Sequence, residues 1–406
     1  MTLWQDREFR RFWLARAISN AGSALSGVAL PVLMYSLTGS AAHTAALAAL
    51  TAAPYLVFGL VAGALADRVH RRAVMVVTDL VSAGLLASVP VASAFGALTP
   101  VHLMLVAGGV ASVGVWFDAA AFGALPALVG SENLVRANSA VWSTATAVHI
   151  AAPSVAGVLF AVHGPAGTLA LDAVSFAVSA ALVRTILRPM TTSRPPRAVL
   201  GADIREGLEF LWREPTVRLF LGLGLGQAVA GGAVSGLLVV YAFRGFGVPQ
   251  DDPRVGVLFS ALAAGSFAAT ALMPAISDAC EPRRVAATGL TAGVGVLGLL
   301  VGAPAWWLAV LGVALWGLTS TVVVNGITVR QLITPDHLQG RVGLVGRMMT
   351  FGIGQPAGAL AGGVLADALS VRSALVTAAL PLAVAAVIGW SQVGSESGGE
   401  LGHGLK

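Results

Sequence analysis

Six ionisable residues lie inside long apolar runs: Arg16, Asp79, Asp118, His149, Asp172 and Arg347. A charge in such a run is costly, so these are the groups to ask about first. A carboxylate there can hold a proton or a cationic solute. Asp118, which follows Trp116 and Phe117, is the carboxylate best placed for proton coupling or cation recognition. His149, near the middle of its run, has an imidazole suited to proton exchange. Asp79 and Asp172 sit nearer the ends of their runs and read as structural pairs, and Arg16 can snorkel to the surface. A second set of charges sits between the runs. Gly63, Asp67, Arg68, Arg71 and Arg72 form one cluster, and Asp278, Arg283 and Arg284 form another. A carboxylate at a helix end can meet a helix N-terminus or an arginine. Arg341 and Arg347 are the natural partners of Asp67, and Arg136 is that of Asp278.

The elements that must hold these groups are membrane spans. Of the 406 residues, 56% are hydrophobic and 11% charged, and the mean hydropathy is +0.83. A soluble domain carries about 25% charged residues, and a globule of this size has no core large enough to hide the remainder. Windows of about 20 apolar residues predict spans over 12–37, 44–65, 73–95, 102–125, 138–162, 167–187, 219–243, 255–277, 285–302, 305–329, 343–366 and 372–391. The fold class expected is therefore an all-α membrane protein of twelve transmembrane helices. Its domains are a six-helix bundle over 1–187, a cytoplasmic linker over 188–218, a second bundle over 219–391 and a disordered tail over 392–406. In the linker, Asp203 to Arg213 reads as an amphipathic helix with Ile204, Leu208, Leu211 and Trp212 on one face.

Arginine placement gives the orientation. Arg7, Arg10 and Arg11, then Arg68, Arg71 and Arg72, then seven arginines from Arg184 to Arg218 fall on one side. The opposite loops hold Arg244, Arg254 and Arg372. Both termini are expected in the cytoplasm of a multi-pass cell-membrane protein. The net charge of +5 reflects these short loops and not a nucleic-acid face. One cysteine, Cys280, excludes an intrachain disulfide.

The chain also repeats itself at an offset of about two hundred residues. Asp67 with Arg71-Arg72 matches Asp278 with Arg283-Arg284, and Pro153 matches Pro356 as a helix-kinking proline. Parallel repeats of this kind build transporters whose solute cavity lies between the halves near the midplane. Polar and aromatic candidates for its lining are Asn20, Tyr35, Trp142, His149, Gln227, Tyr241 and Asn325. Few are charged, which favours a lipophilic or amphipathic solute.

Gly63-Ala-Leu-Ala-Asp67-Arg68-Val-His-Arg71-Arg72 resembles the loop signature of the major facilitator superfamily, Gly-x-x-x-Asp-Arg-x-x-Arg-Arg. Phe9-Arg-Arg11-Phe-Trp13, Ala29-Leu-Pro31, Leu134-Val-Arg-Ala-Asn138 and Arg330-Gln-Leu-Ile-Thr-Pro335 look like the macrolide-efflux and enterobactin-exporter branch. Ala152-Pro153-Ser-Val-Ala156-Gly157 is similar to the Gly-Pro-x-x-Gly-Gly pattern of drug–proton antiporters, with alanines at two glycine places. In this branch a carboxylate often stands in span one beside Gly22, where this chain has Ser23. The resemblance implies the superfamily fold, export by alternating access, proton coupling, and the Asp67 and Asp278 clusters as latches between the halves. It implies a monomer in a lipid bilayer, with a small-molecule substrate and protons as partners. No enzyme constellation, phosphate loop, cofactor site or metal site is expected. The rival readings are an importer of a small nutrient on the same fold and a non-transporting membrane sensor or scaffold.

Overall fold

The computed structural model describes residues 3–66, 70–190, 209–250, 252–335 and 338–397. Among the described residues it is helical throughout, with no strand. The segments are α1 (Arg7–Thr38), α2 (Ala41–Ala66), α3 (Arg71–Ala94), α4 (Pro100–Gly130), α5 (132–163) and α6 (165–184). There follow α7 (Pro215–Gly245), α8 (Arg254–Ala279), α9 (Pro282–Gly302), α10 (Trp306–Ile333), α11 (339–368) and α12 (Val371–Ser397). These twelve correspond one for one to the predicted spans.

The ends differ from the hydropathy reading for local chemical reasons. α1 begins at Arg7, before the apolar run, because the Asp6 carboxylate accepts from the backbone N–H of Glu8 at 2.9 Å and of Phe9 at 3.4 Å. Gly39, in the left-handed region at φ 62°, ends it, and its N–H returns to the Tyr35 carbonyl. Between α4, α5 and α6 there are no loops. The chain turns on Gly130 (φ 71°) and Gly164 (φ 68°), a conformation a β-carbon opposes. α10 is two pieces joined at Thr319 and Ser320. α12 continues to Ser397, past the expected end at 391, and residues 398–406 lie outside the described residues. Of the linker helix expected over 203–213, residues 209–213 are described, and 191–208 lie outside the described residues. Leu211 is buried against Val217 and Leu338, while Trp212 on the next position is exposed.

The chain divides into two compact units. Unit one is 1–198 with 247–260, which includes the start of α8, and unit two is 199–246 with 261–406. In unit one a core of Phe9, Phe12, Met75, Phe117, Leu125, Leu128 and Val183 joins α1, α3, α4 and α6. In unit two α7 packs against α11 and α12, and α9 against α10 and α12. Glycine allows the backbones to touch where helices cross, as at Gly232 on α7 and Gly358 on α11.

Candidate functional site

The loop clusters do not behave as one group. Asp67 and Arg68 lie outside the described residues, as does the side chain of Arg341; Gly63 falls in the last turn of α2. Arg71 is buried and donates to the carbonyls of Gly123 (2.7 Å) and Met190 (2.9 Å). Arg72 donates to the carbonyl of Ile186 at 2.6 Å. Arg11 donates to Thr185 at 2.7 Å and pairs with Glu8 at 3.1 Å. Cations therefore satisfy the carbonyls that the end of α6 leaves open. Arg71 and Arg72, predicted in the mobile latch, clamp helix ends within unit one. In unit two Arg284 faces Glu281 at 3.6 Å on the surface, Arg283 reaches the Gln392 carbonyl, and Asp278 and Arg347 are exposed. Arg136 in unit one is exposed too.

The intramembrane charges regroup. Asp118 accepts from Arg16 at 2.9 Å, and the guanidinium lies 5.4 Å from the centroid of the Phe117 ring. Arg16 thus pairs across α1 and α4. The sequence predicts structural ion pairs for Asp79 and Asp172. Both are buried, and neither is in an ion pair among the described residues. Asp172 accepts from the hydroxyls of Ser26 on α1 and Ser175 on α6, the latter at 2.9 Å. Asp79 has no hydrogen bond of ordinary geometry on either oxygen among the described residues, with the Ser179 hydroxyl nearby. The serines are residues that sequence reasoning missed. Asp172, Ser175 and Ser179 follow helical spacing on one face of α6, which is the signal that could have found them.

Three of the seven cavity candidates make packing contacts within unit two. Asn325 donates to the Pro282 carbonyl at 2.8 Å, where α9 begins. Gln227 donates to the Thr319 hydroxyl at 2.8 Å, bridging α7 to the joint in α10. Tyr241 donates to the Leu300 carbonyl at 2.6 Å and opens an edge-to-face chain through Phe246 to Trp306. All three side chains are buried. Tyr35 is buried at the end of α1, Asn20 is half-buried, and Trp142 and His149 are exposed. A separate groove of about 390 Å³ opens in unit two, lined by Leu219, Gly226, Pro381 and Ile388 with Arg218 and Arg283.

The prolines sit at helix contacts. The Pro153 carbonyl faces Gly256, and Gly157 faces Pro253, so that α5 and the start of α8 touch through backbone within unit one. The Ser154 hydroxyl meets that of Ser260 at 2.8 Å. Pro356 follows a π-helical turn, Met348–Gly354, at which α11 changes its pitch.

Ten stretches of the described chain are long and apolar enough to cross a bilayer; the one over Glu132–Arg184 holds both α5 and α6, and α11 is not among the ten. Such a chain is a polytopic helical membrane protein. The transmembrane secretion effector family model of the major facilitator superfamily matches residues 3–394, and the chain belongs to that family. It is 30% identical over 388 residues to the multidrug efflux pump Tap of Mycolicibacterium fortuitum, covering 92% of this chain and 93% of that one. It is 28% identical over 349 residues to the enterobactin exporter EntS of Citrobacter koseri, covering 82% and 79%. Among solved structures, the nucleoside transporter NupG superposes with a TM-score of 0.80 at 13% identity, over 96% of this chain and 99% of that one. A bacterial homologue of the lysosomal transporter Spinster gives 0.77 at 13%, over 96% and 97%. These superpositions carry the fold: an all-α, major facilitator architecture. The family is one of transporters and not of enzymes.

Proposed function

We propose that the chain is a secondary active exporter of a small lipophilic or amphipathic molecule, working by alternating access and driven by the proton gradient. The observation that carries this reading is the similarity to a multidrug efflux pump over nearly the whole of both chains. The sparing use of charge in the spans agrees with it, because a lipophilic solute needs apolar walls and few fixed polar groups. The protein works as a monomer in the cell membrane, with both termini in the cytoplasm. Bundles 1–187 and 219–391, joined by the linker 188–218, rock against each other. Asp67 with Arg341 or Arg347, and Asp278 with Arg136, make and break in the cycle. Arg71 and Arg72 serve this motion as clamps, through their bonds to the Gly123, Met190 and Ile186 carbonyls of unit one.

The test is accumulation of ethidium, rhodamine 6G and macrolides in cells lacking their own pumps, with and without an uncoupler. Expression should lower accumulation of at least one compound, and the uncoupler should restore it. Unchanged accumulation of every compound, with the protein verified in the membrane, refutes the reading.

A further inference from the structure

Two buried carboxylates in unit one have no ion-pair partner among the described residues. Asp79 on α3 is 1% exposed and Asp172 on α6 is 0% exposed. Neither oxygen of Asp79 has a hydrogen-bond partner, nor does the fully buried hydroxyl of Ser179 on α6. Ser179 is nonetheless close enough to Asp79 to act on it, and Asp79 also feels Asp172. Asp172 is better held, by Ser26 and Ser175. Gly22 on α1 makes the room: a β-carbon there would run into the Asp172 carboxylate and sit 2.8 Å from Cβ of Ser175. The charged groups facing this pocket from the neighbouring helices are few. Arg16 on α1 acts on Asp79, but its guanidinium is engaged by Asp118 on α4. Arg71, at the start of α3, donates to the Gly123 and Met190 carbonyls.

A carboxylate buried without an ion-pair partner is held at lower cost when it carries a bound positive charge. The choice lies between a proton and a metal cation. The Ser26 and Ser175 hydroxyls lie against the two oxygens of Asp172 and can accept from it when it carries a proton. No cluster of three acidic, histidine or cysteine side chains stands among the described residues. At 1.5 Å per residue, Asp79 lies roughly 12 Å along α3 from its start and Asp172 roughly 18 Å along α6 from its end.

We propose that Asp79, Ser179 and Asp172 form the site that holds the coupling proton of the exporter, inside unit one and not at Asp118. This rests on the exporter reading, and the test separates the two. Full-length protein in liposomes is examined by infrared spectroscopy from acid to alkaline pH, as wild type, D79N, D172N, S179A and D118N. The wild type should show the carbonyl stretch of a protonated, buried carboxylic acid. D79N or D172N should remove it, S179A should shift its frequency, and D118N should leave it in place. In the same vesicles D79N and D172N should lose ethidium accumulation against its gradient but keep downhill equilibration, a split that misfolding does not produce. A wild type without the band, or a band and uphill transport surviving in both variants, overturns the proposal. A band lost in D79N or D172N, with no dye moved by the wild type, supports the proton site and overturns the export reading. S179A and the wild-type titration keep the question answerable if an aspartate variant fails to fold.

Discussion

Where α7 crosses α11 the two backbones are in contact, and one β-carbon on either side should disturb unit two measurably. A β-carbon at Gly358 would collide with the Val229 carbonyl, with the carbonyl carbon at 2.6 Å and Cα at 2.9 Å. From the other side, a β-carbon at Gly232 would meet the Gln355 carbonyl carbon at 2.7 Å and Cα at 2.8 Å. Carbon atoms rest at about 3.5–4.0 Å, so the helices must part by nearly 1 Å. The obstacle is backbone and cannot rotate away. Overpacking of this kind costs about 1–3 kcal/mol, and the rigid contact places Gly358→Ala near the upper end. Alanine returns about 1 kcal/mol of helix propensity, leaving a net loss of about 2 kcal/mol. That corresponds to a fall of about 4–8 °C in Tm by tryptophan fluorescence in detergent. Gly231→Ala is the internal control, because a β-carbon there meets nothing within 4 Å. It should be neutral or stabilising by up to about 1 kcal/mol. A Gly232→Ala/Gly358→Ala double variant should lose less than the sum, since the first substitution already opens the crossing. Equal melting of Gly358→Ala and Gly231→Ala would refute the close crossing.

Three further outcomes are expected. Arg71→Lys should cost about 2–4 kcal/mol by thermal melting, because an ammonium cannot reach the Gly123 and Met190 carbonyls together. Tyr241→Phe should cost about 1 kcal/mol for the lost bond to Leu300 and leave dye export intact; loss of export at unchanged stability would return Tyr241 to the solute path. Burial tends to raise the Asp6 carboxyl, but Arg188 and the N–H groups of Glu8 and Phe9 outweigh it and hold it below its ordinary value of 3.8. Its contribution is therefore present above that value and lost as pH falls through the lower folded one. Asp6→Ala should remove about 1 kcal/mol of capping at neutral pH and flatten this acid limb of the melting profile.

Hydropathy made the spans legible, because twelve apolar windows of bilayer length leave the chain no other home. It said nothing of where helices are capped. Asp6 starts α1 ahead of the apolar run by hydrogen bonding, a signal carried by residue type and not by hydrophobicity. The glycine turns at 130 and 164 were illegible, since glycine is frequent in spans for packing as well. Polar residues in spans were harder still. Asn325, Gln227 and Tyr241 look like cavity groups in sequence, yet each serves a backbone or hydroxyl group on a neighbouring helix. Arg16 and Asp118 are 102 residues apart, and Ser26 and Asp172 are 146 apart. Such partners are set by tertiary packing, and one sequence contains no direct record of them.

The most direct test of the central claim is transport by the purified protein in liposomes with an acid interior. Ethidium should accumulate inside above its equilibrium level, and nigericin should abolish the accumulation. Uptake no faster than in protein-free liposomes, for ethidium and the remaining panel alike, would contradict gradient-driven export.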